Sequence, residues 1–378
     1  MSRSKQVVPM FIRNLNVLNY KNLIQADLQF SPKLNCFIGN NGVGKTNLLD
    51  CFFYLSFCKS CFNLPDSQNI RHFEDFFVLQ GKYDCGGEPE DVYCGFKTGH
   101  KKIFRRNKKE YERLSDHIGV LPLVMISPAD SILIQGSSEE RRRFMDSVIS
   151  QYDRQYLECL LKYNRALLQR NNLLKYFASK NQFEADSLDV WNEQLIITGK
   201  KIFNKRVQFI NELLPVFQKY YDFICQGHEK VQLEYQSQLN NHDFRKLLEE
   251  SIGKDLVLQY TTTGIHKDDL DLKIEDYPIK KLGSQGQNKT YLISLKFAQF
   301  DFIRSVNKVK PILLLDDIFD KLDSSRVGQI VKLVSDSNFG QIFITDTNRE
   351  HLDGIIREVG GADFKIFVVS DGQISLMY

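Results

Sequence analysis

Polar and apolar positions alternate early in the chain. Ile24, Ala26, Leu28 and Phe30 share one face, while Gln25, Asp27 and Gln29 share the other, which predicts a half-buried strand. FIRNLNV before it is a partner strand, joined through NYKN. Leu34 to Ile38 is a short apolar strand that runs straight into glycines, and LLDCFFYLSF after them has the length and dense hydrophobicity of a buried helix. Residues 90 to 112 read as a hairpin with DVYCGFK and KKIF as arms, and LPLVMIS (121–127) reads as another buried strand.

The pattern then changes period. From Ser138 to about Cys225 helical spacing dominates, through EERRRFMDSVIS, RQYLECLLKYNRALLQRNNLLKYF and the stretch around WNEQLIITGKKIF. Ser137 or Ser138 can cap the first of these helices, with Glu139 and Glu140 complementing its dipole. VQLEY and DLDLKI are strands. PILLLDD, QIFITD and FKIFVV then return as short apolar strands separated by helical intervals, as in a mainly parallel sheet. The expected architecture is α/β. Residues 1–126 and 305–378 together form one lobe, and residues 127–304 form an inserted, mainly helical second lobe.

Composition narrows the class without choosing within it. At 378 residues, with 42% hydrophobic and 26% charged positions, the chain is neither disordered nor collagen-like. A net charge of +3 means that any nucleic-acid contact must come from local clusters. MSRSKQVVPMF lacks the apolar core of a signal peptide, and no run approaches the roughly 18 apolar residues that span a bilayer. A cytoplasmic protein without a membrane partner is the expectation. Among the eight cysteines, Cys58 and Cys61 form C-K-S-C; with Cys85 and Cys94 they suggest a zinc or redox site, against the plainer reading of reduced cytosolic thiols.

The chemistry concentrates after the third strand. FIGNNGVGKTNLLD fits G-x-x-x-x-G-K-[ST], with a strand before and a helix after. Gly39, Gly42 and Gly44 allow backbone N–H groups to turn inward on a phosphate without Cβ clashes. Lys45 brings positive charge to the β/γ oxygens and Thr46 offers a hydroxyl to Mg²⁺. The expected nucleotide-binding residues are therefore Gly39, Asn40, Asn41, Gly42, Val43, Gly44, Lys45 and Thr46. A P-loop needs an acid at the end of a second strand, which PILLLDD supplies: Asp316 to hold Mg²⁺ with Thr46, and Asp317 to orient or deprotonate water, with Lys45 as the other catalytic group.

KLGSQGQNKTYLISLKFAQF places a Ser-Gln-Gly-Gln turn before an amphipathic helix, so that Ser284, Gly286 and Gln287 lie at a helix N-terminus. About 30 residues before the PILLLDD strand, this turn resembles the signature motif of ABC-type ATPases. The resemblance implies that Ser284, Gly286 and Gln287 close over ATP held by a second subunit, making an ATP-dependent homodimer. DKLD (Asp320 to Asp323) matches the D-loop of that interface. Transporter ATPases keep a shorter interval between P-loop and signature and carry a switch histidine, where QIFITDTN has none. SMC proteins interpose a far longer coiled coil with sustained heptads.

Along nearly its whole length the chain resembles the RecF family. The stretches that carry the likeness are LNYKNL, FIGNNGVGKTNLL, IRHFEDFFVLQG, MISPADSILIQGSSEERRRFMD, TTGIHKDDLDL, KLGSQGQNKT and LLLDDIFDKLD. The resemblance implies an ABC-type, SMC-like P-loop ATPase head with a short helical lobe. It also implies weak, DNA-stimulated hydrolysis of ATP with Mg²⁺, acting as a switch for dimerisation on DNA, duplex or gap. Action with RecO and RecR in loading the recombinase and inducing the SOS response completes that expectation. The alternative is an ABC-type subunit energising a membrane partner. Ile265 stands where the family usually has proline, and CKSCFNLP replaces a more basic stretch. His266 with Asp268 and Asp269 suggests either a metal site or a loop shaped by side-chain hydrogen bonds.

For DNA, KKIFRRNKK offers Lys101, Lys102, Arg105 and Arg106 as phosphate contacts, against the alternative of a solvated hairpin. Arg141 to Arg143 are expected to divide around their helix, some packing on acids. Lys200, Lys201, Lys205 and Arg206 form a stripe at helical spacing that is expected to be exposed.

Overall fold

The computed structural model describes residues 7–180, 183–227, 229–320, 322–335, 338–359 and 363–377. The chain divides into two compact units. One comprises residues 1–130, 220–227 and 289–378, and the other 131–219 and 228–288.

The first unit holds two six-stranded sheets. In the antiparallel sheet the order is β2 (Leu23–Gln29), β1 (Met10–Tyr20), β4 (Phe76–Cys85), β5 (Glu88–Lys97), β6 (Ile103–Arg106) and β7 (Lys109–Glu110). Strand β4 lies in the IRHFEDFFVLQG stretch, whose period gave no strand expectation. The second sheet runs β15 (Gln373–Leu376), β14 (Phe364–Ser370), β3 (Leu34–Ile38), β13 (Ile342–Asp346), β12 (Ile312–Asp316) and β8 (Leu123–Ile126). All its pairs are parallel except β14 with β15. The parallel sheet is thus the one assembled from both ends of the chain, with β3, β8, β12, β13 and β14 on the apolar runs expected to be strands.

Strand β3 is buried on both faces, so it is a continuous apolar run rather than an alternating one. Behind it, Phe52 of the helix Lys45–Phe57 stacks on Phe343 at 4.3 Å, and Phe30 meets Phe343 edge-on at 5.0 Å. Gln341, 1% exposed, fastens the two sheets. Its amide accepts from Ile12 N (2.8 Å) and donates to the carbonyls of Ile12 (2.9 Å) and Ser31 (2.7 Å).

The second unit is built on the helices Ser138–Ser150, Arg154–Lys180 and Phe244–Leu258, with most of the long helix Ala185–Cys225. It also carries a small sheet of β9 (Val231–Gln236), β10 (Asp269–Ile274) and β11 (Tyr277–Pro278). Ser137, not Ser138, is the cap, accepting from Glu139 N at 3.3 Å. The expected lobe edges at 126/127 and 304/305 move to 130/131 and 288/289, and residues 220–227 return to the first unit. Aromatic packing explains the shift. Phe297 and Phe300 of the helix Gln285–Asn307 lie 5.5 and 4.7 Å from Phe339, and Tyr220 lies 5.8 Å from Phe297.

Candidate nucleotide site

Strands β3, β13 and β12 lie side by side and end together, and ligands of parallel α/β sheets bind beyond such carboxyl ends. From β3 the chain turns through Gly39–Gly44 into the helix that begins at Lys45. Gly44 has φ +113°, and a Cβ there would lie 2.7 Å from the Asn22 amide; at Gly39 it would lie 2.4 Å from the Val369 carbonyl. Only glycine fits either place. Lys45 Nζ donates to the carbonyls of Gly39 (2.7 Å) and Asn40 (3.1 Å), so its charge is held over the loop.

Thr46 Oγ1 donates to Asp316 Oδ2 at 2.8 Å, across 270 residues of sequence. Thr345, at the end of the intervening strand, donates to Asp316 Oδ1 at 2.7 Å. The same hydroxyl accepts from Asp317 N at 3.1 Å, and Asp317 takes φ +45°, a left-handed conformation unusual for a residue with a Cβ. Burial raises the Asp316 carboxyl above the usual range, opposed by the Thr345 and Thr46 hydrogen bonds and by Lys45. Burial also raises Asp317, against the pull of Lys45 and with the push of Asp316. A hydroxyl and a carboxylate sharing one contact below a phosphate-shaped turn suit a hard divalent cation, so the donor set fits Mg²⁺.

Comparison with known proteins agrees along the full chain. A family model described as an AAA ATPase domain matches residues 10–310. "DNA replication and repair protein RecF" of Bacteroides fragilis strain YCH46 is 58% identical over 369 residues, which is 97% of this chain and 99% of that protein. Its counterpart in Flavobacterium johnsoniae is 49% identical over 95% of this chain and 99% of its own length. The chain belongs to the RecF family.

Among solved structures, the "recombination mediator protein RecF-ATP in RecFOR pathway" superposes with TM-score 0.89 at 26% identity, covering 100% of both chains. A Smc head domain from Pyrococcus furiosus shares the fold at TM-score 0.56 and 15% identity, over 97% of this chain and 96% of its own. The α/β, ABC-type, SMC-like class expected from the motifs is therefore the observed one.

Several residues of this RecF-family site were given no role by the sequence reading. Asn22 donates to the Val43 carbonyl (3.0 Å) and accepts from Asn47 (2.8 Å), clamping the P-loop from the β1–β2 turn. Asp50, fully buried on the P-loop helix, accepts from Lys21 (2.5 Å), Tyr20 (2.7 Å), Ser60 (2.7 Å) and Cys61 N (2.7 Å). CKSCFNLP thus serves the site from within: Ser60 and Cys61 hold Asp50, and Phe62 covers the Lys21 ammonium at 4.1 Å. A lone acid inside LLDCFFYLSF was the available clue. Beside this network lies a cleft of about 670 Å³ lined by Lys21, Asn22, Gln68, Ile70, Arg71 and Phe73. Cys58 and Cys61 are unsuited to redox work, since burial pushes the Cys58 thiol up to about 12 and raises Cys61 too.

Ser284 and Gln287 form a capping box: Ser284 Oγ accepts from Gln287 N (3.1 Å), and Ser284 N donates to Gln287 Oε1 (2.9 Å). Gln287 Nε2 donates to Glu229 at 2.8 Å, so the free donors at this helix start are the N–H groups of Gln285 and Gly286 and the Ser284 hydroxyl. Of the D-loop stretch, Lys321 lies outside the described residues. The Asp320 carbonyl accepts from Lys289, and Asp323 caps the next helix through Arg326 N at 3.0 Å.

The hairpin cations are less free than their sequence suggests. Lys102, with 13% side-chain exposure, pairs with Asp66 at 2.9 Å and donates to the Cys58 carbonyl at 2.7 Å. Arg106 is held bidentately by Glu90 at 2.7 and 2.5 Å, and Arg105 lies 3.9 Å from Glu110. Lys101, Lys108 and Lys109 remain exposed. The expected stripe on the long helix is corrected at Arg206, which is 1% exposed and bound to Asp146 and Asp268, while Lys205 pairs with Asp153 at 3.0 Å. Arg141 and Arg143 divide as expected, onto Asp269 and onto Glu139. His266 spends both ring nitrogens, on Tyr163 Oη (2.8 Å) and the Thr261 carbonyl (3.0 Å), which favours the hydrogen-bonded loop over a metal site. Ile265 is the first residue of a short 3₁₀ turn, a place that also accepts proline.

Lys45→Arg should weaken ATP binding by about 10–100-fold, the worth of a charge-assisted hydrogen bond. The planar guanidinium cannot reproduce a point donor that sits between two carbonyls. Titration with a fluorescent ATP analogue measures it; unchanged affinity would remove Lys45 from the phosphate site.

Proposed function

We propose that the chain is an ATP-dependent DNA-binding protein of DNA replication and recombinational repair, in which nucleotide state switches assembly. The observation that carries this reading is the Thr46–Asp316 contact beneath Lys45, which joins the two halves of a nucleotide site across the sheet. Gly39 to Thr46 would hold the ATP phosphates, while Thr46 and Asp316 would hold Mg²⁺, which offsets phosphate charge when bound. Asp317 would orient the water. The base of the nucleotide would enter the cleft at Lys21, Asn22 and Phe73. The related proteins named for replication and repair, and the RecF structure named for ATP, support the assignment.

The finer reading is that ATP gripped by the P-loop of one copy is closed over by Ser284 and Gly286 of a second. The homodimer then forms on duplex or gapped DNA and slow hydrolysis releases it. RecR and RecO would be its partners in loading the recombinase and inducing the SOS response. No helix among the described residues is long and apolar enough to cross a membrane. Sedimentation of the full chain with ATP, ADP or no nucleotide, each with and without DNA, tests the switch. A dimer is expected with ATP and is strengthened by DNA. A monomer under every condition would reject it.

A further inference from the structure

In the second unit, the carboxylates around the loop 260–269 are already engaged. Asp255, fully buried, accepts from Arg170 Nη1 at 2.7 Å, and from Thr262 through its N (2.9 Å) and hydroxyl (2.7 Å). Asp268 is held by Arg206 and Tyr235, Asp269 by two nitrogens of Arg141 at 2.6 and 2.9 Å, and Glu139 by Arg143.

The neighbouring cations have no such partners. Lys267 is exposed and stands 4.9 Å from the centre of the Tyr260 ring, itself 43% exposed. Lys254 is exposed on the helix Phe244–Leu258. Among the described residues, no carboxylate lies within ion-pair distance of either lysine. Arg142, half-buried, commits one nitrogen to the Asp268 carbonyl at 2.5 Å. Asp255, next to Lys254, is bonded to Thr262, and Arg142 to the Asp268 carbonyl, so both cations belong to segments tied to the loop that carries Lys267. Partial burial, then Arg142 and Lys254, hold the Lys267 ammonium below its ordinary range, with Asp255 opposing.

The loop that presents Lys267 is fixed in advance. Thr261 donates from its N (2.8 Å) and hydroxyl (2.7 Å) to Asn171, and Gly264 N donates to Gln238 at 3.0 Å. Gly264 has φ +121°, and a Cβ there would lie 2.7 Å from Tyr163 Oη. A rigid surface loop that gathers uncompensated positive charge around an exposed aromatic ring is prepared for an extended polyanion, since its ordering cost is already met.

We propose that Lys254, Lys267 and Arg142, with the Tyr260 ring, form a contact for the sugar-phosphate backbone of nucleic acid. This rests on the DNA-binding reading above and gives it a place that the largely paired hairpin cations do not. Cations on three separate elements, beside a partly exposed tyrosine ring, suit a strand that passes over the surface rather than a single enclosed phosphate.

The test is fluorescence anisotropy of a labelled duplex with the full chain, ATP and Mg²⁺, across a sodium chloride series. Loss of two phosphate contacts in Lys254→Gln/Lys267→Gln should reduce the slope of log K against log salt by about 1.8, equally for unrelated sequences. Lys267→Arg should keep its share of the slope, binding of a fluorescent ATP analogue should be unchanged in each variant, and unchanged hydrogen exchange of the second unit shows that the part carrying the substitutions is folded. A double variant with the wild-type slope overturns the site while leaving DNA binding intact. A wild-type protein that binds no duplex overturns both.

Discussion

Asp317→Asn is expected to lower ATP turnover by about 10²–10⁴-fold, the contribution of a positioned general base, while ATP affinity stays within a few-fold. The backbone makes this a clean substitution. Asp317 sits at φ +45° with its N–H on Thr345, and asparagine tolerates that left-handed conformation as well as aspartate does. The shape of the site is kept and one negative charge is removed. With hydrolysis stopped, the ATP-bound dimer should persist on DNA, visible as slower dissociation after dilution. Phosphate release at the wild-type rate would move the base elsewhere. Faster dissociation with hydrolysis blocked would separate turnover from release.

Arg206→Ala should cost about 3–5 kcal/mol, because it strands buried charge rather than merely removing a contact. Arg206 reaches both oxygens of Asp146 (2.8 and 3.1 Å), Asp268 (3.4 Å) and the Ile265 carbonyl (2.9 Å). Two carboxylates and a carbonyl lose this donor together, and Asp268 and Asp146 keep the neutral hydroxyls of Tyr235 and Tyr156 but no opposite charge from Arg206. Hydrogen exchange of the second unit is the suitable readout, since a chain of two units need not unfold in one step. Faster exchange is expected through the loop 261–269. Lys201→Ala, on the exposed side of the same helix, should change stability by less than about 0.5 kcal/mol. Equal effects of the two changes would contradict the burial of Arg206.

What was legible in the sequence was local. The P-loop announces itself because glycines, lysine and threonine must be contiguous, and the flanking strand and helix read from periodicity over a few residues. The second acid is legible for the same reason, at the end of ILLLD. What was hidden depends on partners distant in sequence. Lys102 looks free beside Lys101 until Asp66 is folded against it, and Arg106 until Glu90 is. The burial of Arg206, by contrast, is written in its local spacing. Ile202, Phe209, Ile210 and Leu213 lie four before and three, four and seven after it, and all are buried, so Arg206 occupies the apolar stripe of its helix. Basic residues counted along a sequence do not make a surface. The partners of Asn22 and Asp50 were unreadable because nothing in a polar turn, or a single acid within a helix, says which distant groups it will meet.

The order of strands in the parallel sheet has a consequence for synthesis on the ribosome. Strand β3 is complete within the first 38 residues, yet both of its neighbours, β13 and β14, begin after residue 340. For most of translation the glycine turn hangs from a strand whose two edges are unpaired and whose faces are apolar, a state open to mispairing with other nascent chains. The helical segment between them, whose contacts are nearer in sequence, can close first. Competence to take up a nucleotide therefore arrives last, and a prematurely terminated product would carry the whole motif without the sheet that makes it a site.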